Sequence, residues 1–255
     1  MTQKLEIYQS LWGMELRSPH VAERTAEESF AMIAAAGFDG VCLDPSVAEI
    51  PEMRTLEPLY KEYGLGCMVN AFPYHPDDMR PLLEFAKDFD ACMVNVISGV
   101  MPIRPEDAVP TVRRWMREAE EIGMPLLFET HRELRAPVPE RDQAHIESIL
   151  DRSDCFQGRI ATREQVQVPI DFPQHQQWVE IFQGWWRYGM RQWRRRNADD
   201  ARLVFLCELG PPPYAITDGD QRELSDRWQE SLKISEWAQE IWRDFDEQEV
   251  DLATS

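Results

Sequence analysis

Short, mostly apolar runs recur along this chain roughly 25–30 residues apart, each separated from the next by a longer amphipathic stretch. The runs cover residues 5–12, 41–43, 66–71, 92–97, 125–129, 155–161 and 204–208. Continuously apolar strands, rather than alternating ones, are those buried on both faces of a sheet. Helical patterns fill 23–36, 53–63, 76–89, 105–122, 140–150, 178–196 and 221–245, and Gly37, Gly64 and Gly123 stand where three of them should stop. Strand and helix in regular alternation build parallel βαβ units. No Gly-x-Gly-x-x-Gly or phosphate-loop pattern follows any run, so nucleotide-binding open sheets lose support. The expectation is an α/β fold of the (β/α) TIM type, incomplete, with seven recognisable strands. It would form one domain over 1–246, followed by an acidic, disordered tail over 247–255. The polar stretch 162–177 reads as a long loop on the working face.

Charge and cysteine usage narrow the class of protein. With a net charge of −19 the chain does not suit the basic surface a nucleic acid needs. The Arg194-Arg195-Arg196 cluster ends a helical pattern, where cations complement the helix dipole. No window is apolar enough to span a membrane. The first residues lack a basic segment leading into an apolar signal core, and a cytoplasmic location is expected. The five cysteines show no metal-type spacing and sit in apolar runs, where free thiols pack as small hydrophobes.

The chemistry concentrates where two apolar runs end. Met124–Phe128 leads into Glu129-Thr130-His131-Arg132, and the run over 204–207 ends in Glu208. In a barrel of this type the working residues lie at the C-terminal ends of strands. That places Trp12, Asp44, Asn70, Glu129, His131, Arg132, Gln157, Arg159 and Glu208 in the candidate set. Two carboxylates there could hold a divalent metal, act as general acid and base, or serve as the pair of a glycosidase. A purely structural alternative pairs Glu129 with Arg132 or Arg159 as a buried ion pair. His131 lies two residues beyond Glu129, on the same side of an extended strand. His20, His145 and His175 fall in loop or helix-surface contexts, and His75 follows a strand exit in a turn. No serine occupies a nucleophile elbow. The aromatic stretch 178–196 either packs as an outer helix or forms a homo-oligomer contact.

At Phe128-Glu129-Thr130-His131-Arg132, Gly158-Arg159, Cys207-Glu208-Leu209-Gly210-Pro211-Pro212-Pro213-Tyr214 and Ser225-Asp226-Arg227-Trp228, the chain resembles the xylose-isomerase-like barrel superfamily of sugar phosphate isomerases and epimerases. The resemblance implies a sugar or sugar phosphate substrate and one divalent cation (Mn, Mg or Zn) held by two Glu, one Asp and one His. It further implies proton transfer next to a carbonyl or hydroxyl carbon. Glu129 and Glu208 match the two Glu, as metal ligands and as acid and base. His131, Arg132, Arg159, Trp12 and Asn70 would then meet the substrate. Two departures stand out. Gln157 occupies the place of the His ligand. The strand expected to carry the Asp is missing, because Arg132 leads through Ala136-Pro137-Val138-Pro139 straight into a helical pattern. The expectation is therefore an isomerase or epimerase, with a catalytically degenerate binding or oligomerisation module and a metal-free glycoside hydrolase as alternatives. A gap left by the missing unit would favour a homo-oligomer that covers it.

Overall fold

The computed structural model describes residues 2–100, 104–130 and 140–254. His131 and Arg132 lie outside the described residues. The seven strands are β1 (Lys4–Ser10), β2 (Gly40–Leu43), β3 (Gly66–Ala71), β4 (Val94–Val96), β5 (Leu126–Phe128), β6 (Cys155–Gly158) and β7 (Arg202–Cys207). They are ordered β5-β4-β3-β2-β1-β7-β6. The helices are α1 (Ala26–Ala35), α2 (Ile50–Met53), α3 (Glu57–Tyr63), α4 (Met79–Asp88), α5 (Pro105–Ile122), α6 (Glu140–Leu150), α7 (Gln176–Arg196) and α8 (Arg227–Thr254). This is the expected incomplete (β/α) barrel: among the described residues the strand count is one short of closure. No helix among them is long and apolar enough to cross a membrane.

The chain divides into two compact units. One comprises Gln9–Trp12 and Thr25–His131; the other comprises Met1–Tyr8, Gly13–Arg24 and Arg132–Ser255.

In the first unit β2, β3, β4 and β5 pair in parallel, with Val41 opposite Cys67, Asn70 opposite Asn95, and Val96 opposite Phe128. Strands this short cohere because both faces are covered: Val41, Cys42, Met68, Val69 and Val94 are all buried. Thr25 starts α1 with a capping box, its hydroxyl accepting from the Glu28 amide while Glu28 accepts from the Thr25 amide. Phe30 meets Tyr60 edge-on at 4.9 Å, and the Tyr60 hydroxyl donates to the Val41 carbonyl at 3.2 Å, fixing α1 and α3 to β2. The helix expected over 53–63 is broken into α2, a 3-10 turn at Arg54–Leu56, and α3. Pro58 explains the break, since a proline lacks the amide an unbroken helix would use and suits only the first turn of a new one. Gly64 and Gly123 end their helices in the left-handed conformation that the sequence called for.

In the second unit β6 pairs in parallel with β7, Cys155 opposite Val204 and Gly158 opposite Cys207. The aromatic face of α7 is absorbed within the unit. Trp186 stands edge-on to Phe205 of β7 at 5.2 Å, and Trp193 lies 6.0 Å from Trp242 of α8. The basic cluster is absorbed too. Arg194 stacks over Trp242 at 4.8 Å and pairs with Asp246, and Arg196 pairs with Asp154. Gly158 has no room for a side chain: a Cβ there would meet Phe205 at 2.6 Å and Ile234 of α8 at 2.7 Å. The last helix starts later than expected, at Arg227. Residues 217–223 form a tight turn, and Asp226 caps α8 by accepting from the Trp228 and Gln229 amides. Burial pushes the Cys67 and Cys207 thiols up to about 12, so both stay neutral and pack as hydrophobes.

Glu230 of α8 is buried and accepts from the Ile170 amide at 2.9 Å, which ties the loop before α7 to the last helix. Burial pushes its carboxyl up to about 7. A folded-state value above the unfolded one means that the protonated form stabilises the fold at low pH, and that this contribution is lost as pH rises through about 7. Glu230→Gln keeps an acceptor for the Ile170 amide but cannot ionise. By denaturant titration the variant should match the parent near pH 5 and exceed it by on the order of 2 kcal/mol near pH 8. A difference that does not change with pH would refute the assignment.

Candidate active site

The polar groups that the apolar strands carry to their C-terminal ends fall into two sets, one in each unit.

In the first unit, side chains of five successive strand ends form one hydrogen-bonded row. The Ser10 hydroxyl donates to Asp44 Oδ2 at 3.3 Å, and Asn70 Nδ2 donates to Asp44 Oδ1 at 2.8 Å. Asn95 Nδ2 donates both to Asn70 Oδ1 at 3.0 Å and to Glu129 Oε2 at 3.3 Å. The register explains the row. Asn70 and Asn95 are partners on β3 and β4, and Asp44 and Glu129 each follow the last residue of their strand. Asn70 is fully buried, 0 % exposed, so both its amide groups must be bonded, and each has a partner in the row. Glu129 thus receives a donor at one oxygen, which fixes its direction. Trp12 opens a 3-10 turn just after β1 and is half-buried.

In the second unit, Glu208 immediately follows β7 and is 5 % exposed. The guanidinium of Arg159, which immediately follows β6, lies 3.6 Å from its Oε2. The same guanidinium sits 5.7 Å over the Tyr214 ring. Two residues past Glu208, Gly210 is clamped by the Gln167 side chain. Its amide donates to Gln167 Oε1 at 2.7 Å and its carbonyl accepts from Gln167 Nε2 at 3.1 Å. Gln157 is half-buried on β6, opposite Leu206. His175 is buried and bonded through Nδ1 to the Pro169 carbonyl at 2.8 Å, a structural contact.

Asn95 and Gln167 were not among the sequence candidates. A signal for Asn95 exists: Cys-Met-Val-Asn occurs twice, at 67–70 and 92–95, and puts two asparagines at the same place in successive strands. Gln167 had none, since nothing in a polar loop marks one glutamine as a clamp.

The donor chemistry can be held against the divalent metal that the resemblance implies. Glu129 has an amide neighbour, Glu208 has a guanidinium, and Gln157 offers only a neutral oxygen. No group of three His, Cys, Asp or Glu side chains among the described residues is arranged to hold a metal ion. These residues do not fit a tightly held transition metal, and no chemical step is drawn through one. Calorimetric titration with Mn²⁺ should accordingly show weak binding, on the order of 100 µM or above, well short of a site with full ligation. Stoichiometric submicromolar binding would overturn this reading of the donor set.

Comparison with known proteins bears on the fold. No family model and no curated protein sequence matches the chain. Among solved structures it is similar to a D-allulose 3-epimerase from Methylomonas sp., at 12% identity and a TM-score of 0.59, over 94% of this chain and 100% of that one. It is similar to an L-ribulose 3-epimerase at 12% identity and 0.58, over 100% and 99%. A sugar phosphate isomerase/epimerase from Parabacteroides distasonis follows the same pattern at 8% identity and 0.51, over 93% and 96%. At these identities the likeness is one of fold. The architecture to which this protein conforms is the α/β barrel type.

Proposed function

We propose that the protein isomerises or epimerises a small sugar by moving a proton at a carbon next to a carbonyl. The observation that carries the reading is Glu208, a buried carboxylate at a strand's C-terminal end with a guanidinium beside it. The fold shared with D-allulose and L-ribulose 3-epimerases supports the substrate class.

The chemistry needs two things at one carbon. A base must take the proton, and the electron pair that moves onto the carbonyl oxygen must be met by positive charge. Glu208 is the base in this proposal. Arg159, held over Tyr214, supplies charge for the developing enediolate and needs no large rearrangement to do so. Proton return to the neighbouring carbon gives the isomer, and return to the opposite face of the same carbon gives the epimer. Inversion requires a second carboxyl group; Glu129, held in direction by Asn95 within its own unit, is the other carboxylate that the sequence reading assigns to proton transfer. Arg132, His131 and Trp12 remain the proposed substrate contacts. Asn70 is reassigned to holding the row, since both its amide groups are engaged there.

Incubation of the protein with D-fructose, D-allulose or D-ribulose in D₂O tests this by NMR. Deuterium should enter a carbon next to the carbonyl, and Glu208→Gln should slow that exchange by roughly 100-fold or more at unchanged thermal stability. Absence of exchange with all three ketoses, or an unchanged rate in the variant, would refute the proposal.

A further inference from the structure

In the second unit lies a cavity of about 450 Å³ that none of the proposed catalytic residues lines. Its walls are the loop after β1 (Gly13–Arg24) and the stretch leading from β7 into α8. Both follow strand C-termini, the end of a parallel sheet at which ligands are bound. With Pro212 on its wall, it opens four residues along the chain from Glu208.

One buried arginine builds this cavity. The Arg227 guanidinium donates to the carbonyls of Gly13 at 2.7 Å, Glu15 at 2.7 Å and Leu209 at 3.3 Å. It is also held in a bidentate pair by Glu223, at 2.6 and 2.9 Å. Across the rim, His20 Nε2 bonds the Asp220 carbonyl at 2.7 Å. The walls are thereby tied together in advance, which removes part of the ordering cost of binding.

The lining determines what would fit. Met14, Val21, Pro212 and Trp228 give it an apolar body with one indole face, suited to the C–H face of a sugar skeleton. Val21 is 60 % exposed and Leu224, next to lining residues, is 46 % exposed, so apolar surface stands uncovered at the rim. The charged lining residues are nearly all spoken for. Arg227 pairs with Glu223, Arg222 pairs with Asp220 at 2.7 Å, and Asp226 caps α8. Arg24 differs: it donates once, to the Met14 carbonyl at 2.8 Å, and forms no ion pair among the described residues. Arg24 therefore presents a guanidinium without a carboxylate partner among the described residues at a partly enclosed apolar wall.

We infer that this cavity receives the non-reacting end of the substrate and that this end is anionic, a phosphate or a carboxylate paired with Arg24. The inference rests on the sugar reading proposed above and narrows it to acidic sugars. Binding energy gathered at a remote group of this kind can hold the reacting carbon in place at Glu208.

Isothermal titration of the full chain with D-fructose, D-fructose 6-phosphate and D-gluconate tests it. At least one acidic sugar should bind roughly 10- to 100-fold more tightly than D-fructose, the worth of one charge-assisted pair. Arg24→Gln should bring that ratio close to one, and Arg24→Lys should retain part of it. Whether the phosphate or the carboxylate wins identifies the anion. Equal affinity for neutral and acidic sugars, no binding of any of them, or selectivity that survives Arg24→Gln would each overturn the inference. The two proposals fail separately. Deuterium exchange into neutral ketoses without charge selectivity would leave the sugar reading standing alone. Arg24-dependent selectivity without any exchange would leave only the anion site.

Discussion

The double donation from the Asn95 amide nitrogen, to Asn70 and to Glu129, is the interaction on which the first unit depends. Two primary amides stand in strands that are otherwise apolar, and water cannot reach Asn70. An unbonded amide in such a place costs a few kcal/mol, so each strand must lie where its neighbour's polar group is. A slip of β4 by one residue would carry Asn95 to the opposite face and leave Asn70 without its donor. The row therefore specifies register, and in doing so it delivers its two carboxylates, Asp44 and Glu129, in fixed directions.

The second unit meets the same problem with a cation. Glu208 is buried where its strand ends, and Arg159 provides the charge that makes burial tolerable. Gly158 lets β6 lie close under α8, and the Gln167 clamp holds Gly210 just past Glu208. A guanidinium in this position offers a carboxylate the same sign of charge that a metal would. The substitution of Gln157 for the imidazole implied by the resemblance is in keeping with that arrangement. Charge compensation by an arginine and proton transfer by a glutamate form a self-consistent set, and the proposed function is built on it.

Much of this was legible in the sequence because apolar runs and helix punctuation are local signals. The helices Pro105–Ile122 and Glu140–Leu150 and the strand Gly66–Ala71 have the bounds that their patterns predict. The count of seven strands among the described residues was visible too, as a stretch after Arg132 too short in sequence for another strand and helix. Three things were not legible. Pro58 was read through as helix, although a proline resets the hydrogen-bond ladder. Asn95 was read as one polar residue in a strand, because its meaning lies in its register with Asn70 rather than in its own neighbours. The Arg227 hub joins carbonyls more than 200 residues away in sequence, and backbone acceptors carry no side-chain signature at all.

A double-mutant cycle on Asn70 and Asn95 tests the central claim, that buried side-chain pairing at the strand ends holds the sheet and its carboxylates. Asn70→Leu, Asn95→Leu and the double variant would be compared by denaturant unfolding. The account predicts that each single change costs about 1–3 kcal/mol and that the double costs less than their sum by about 1 kcal/mol or more, because the second change removes a group already left unpaired. Strict additivity, with each asparagine contributing independently, would contradict it.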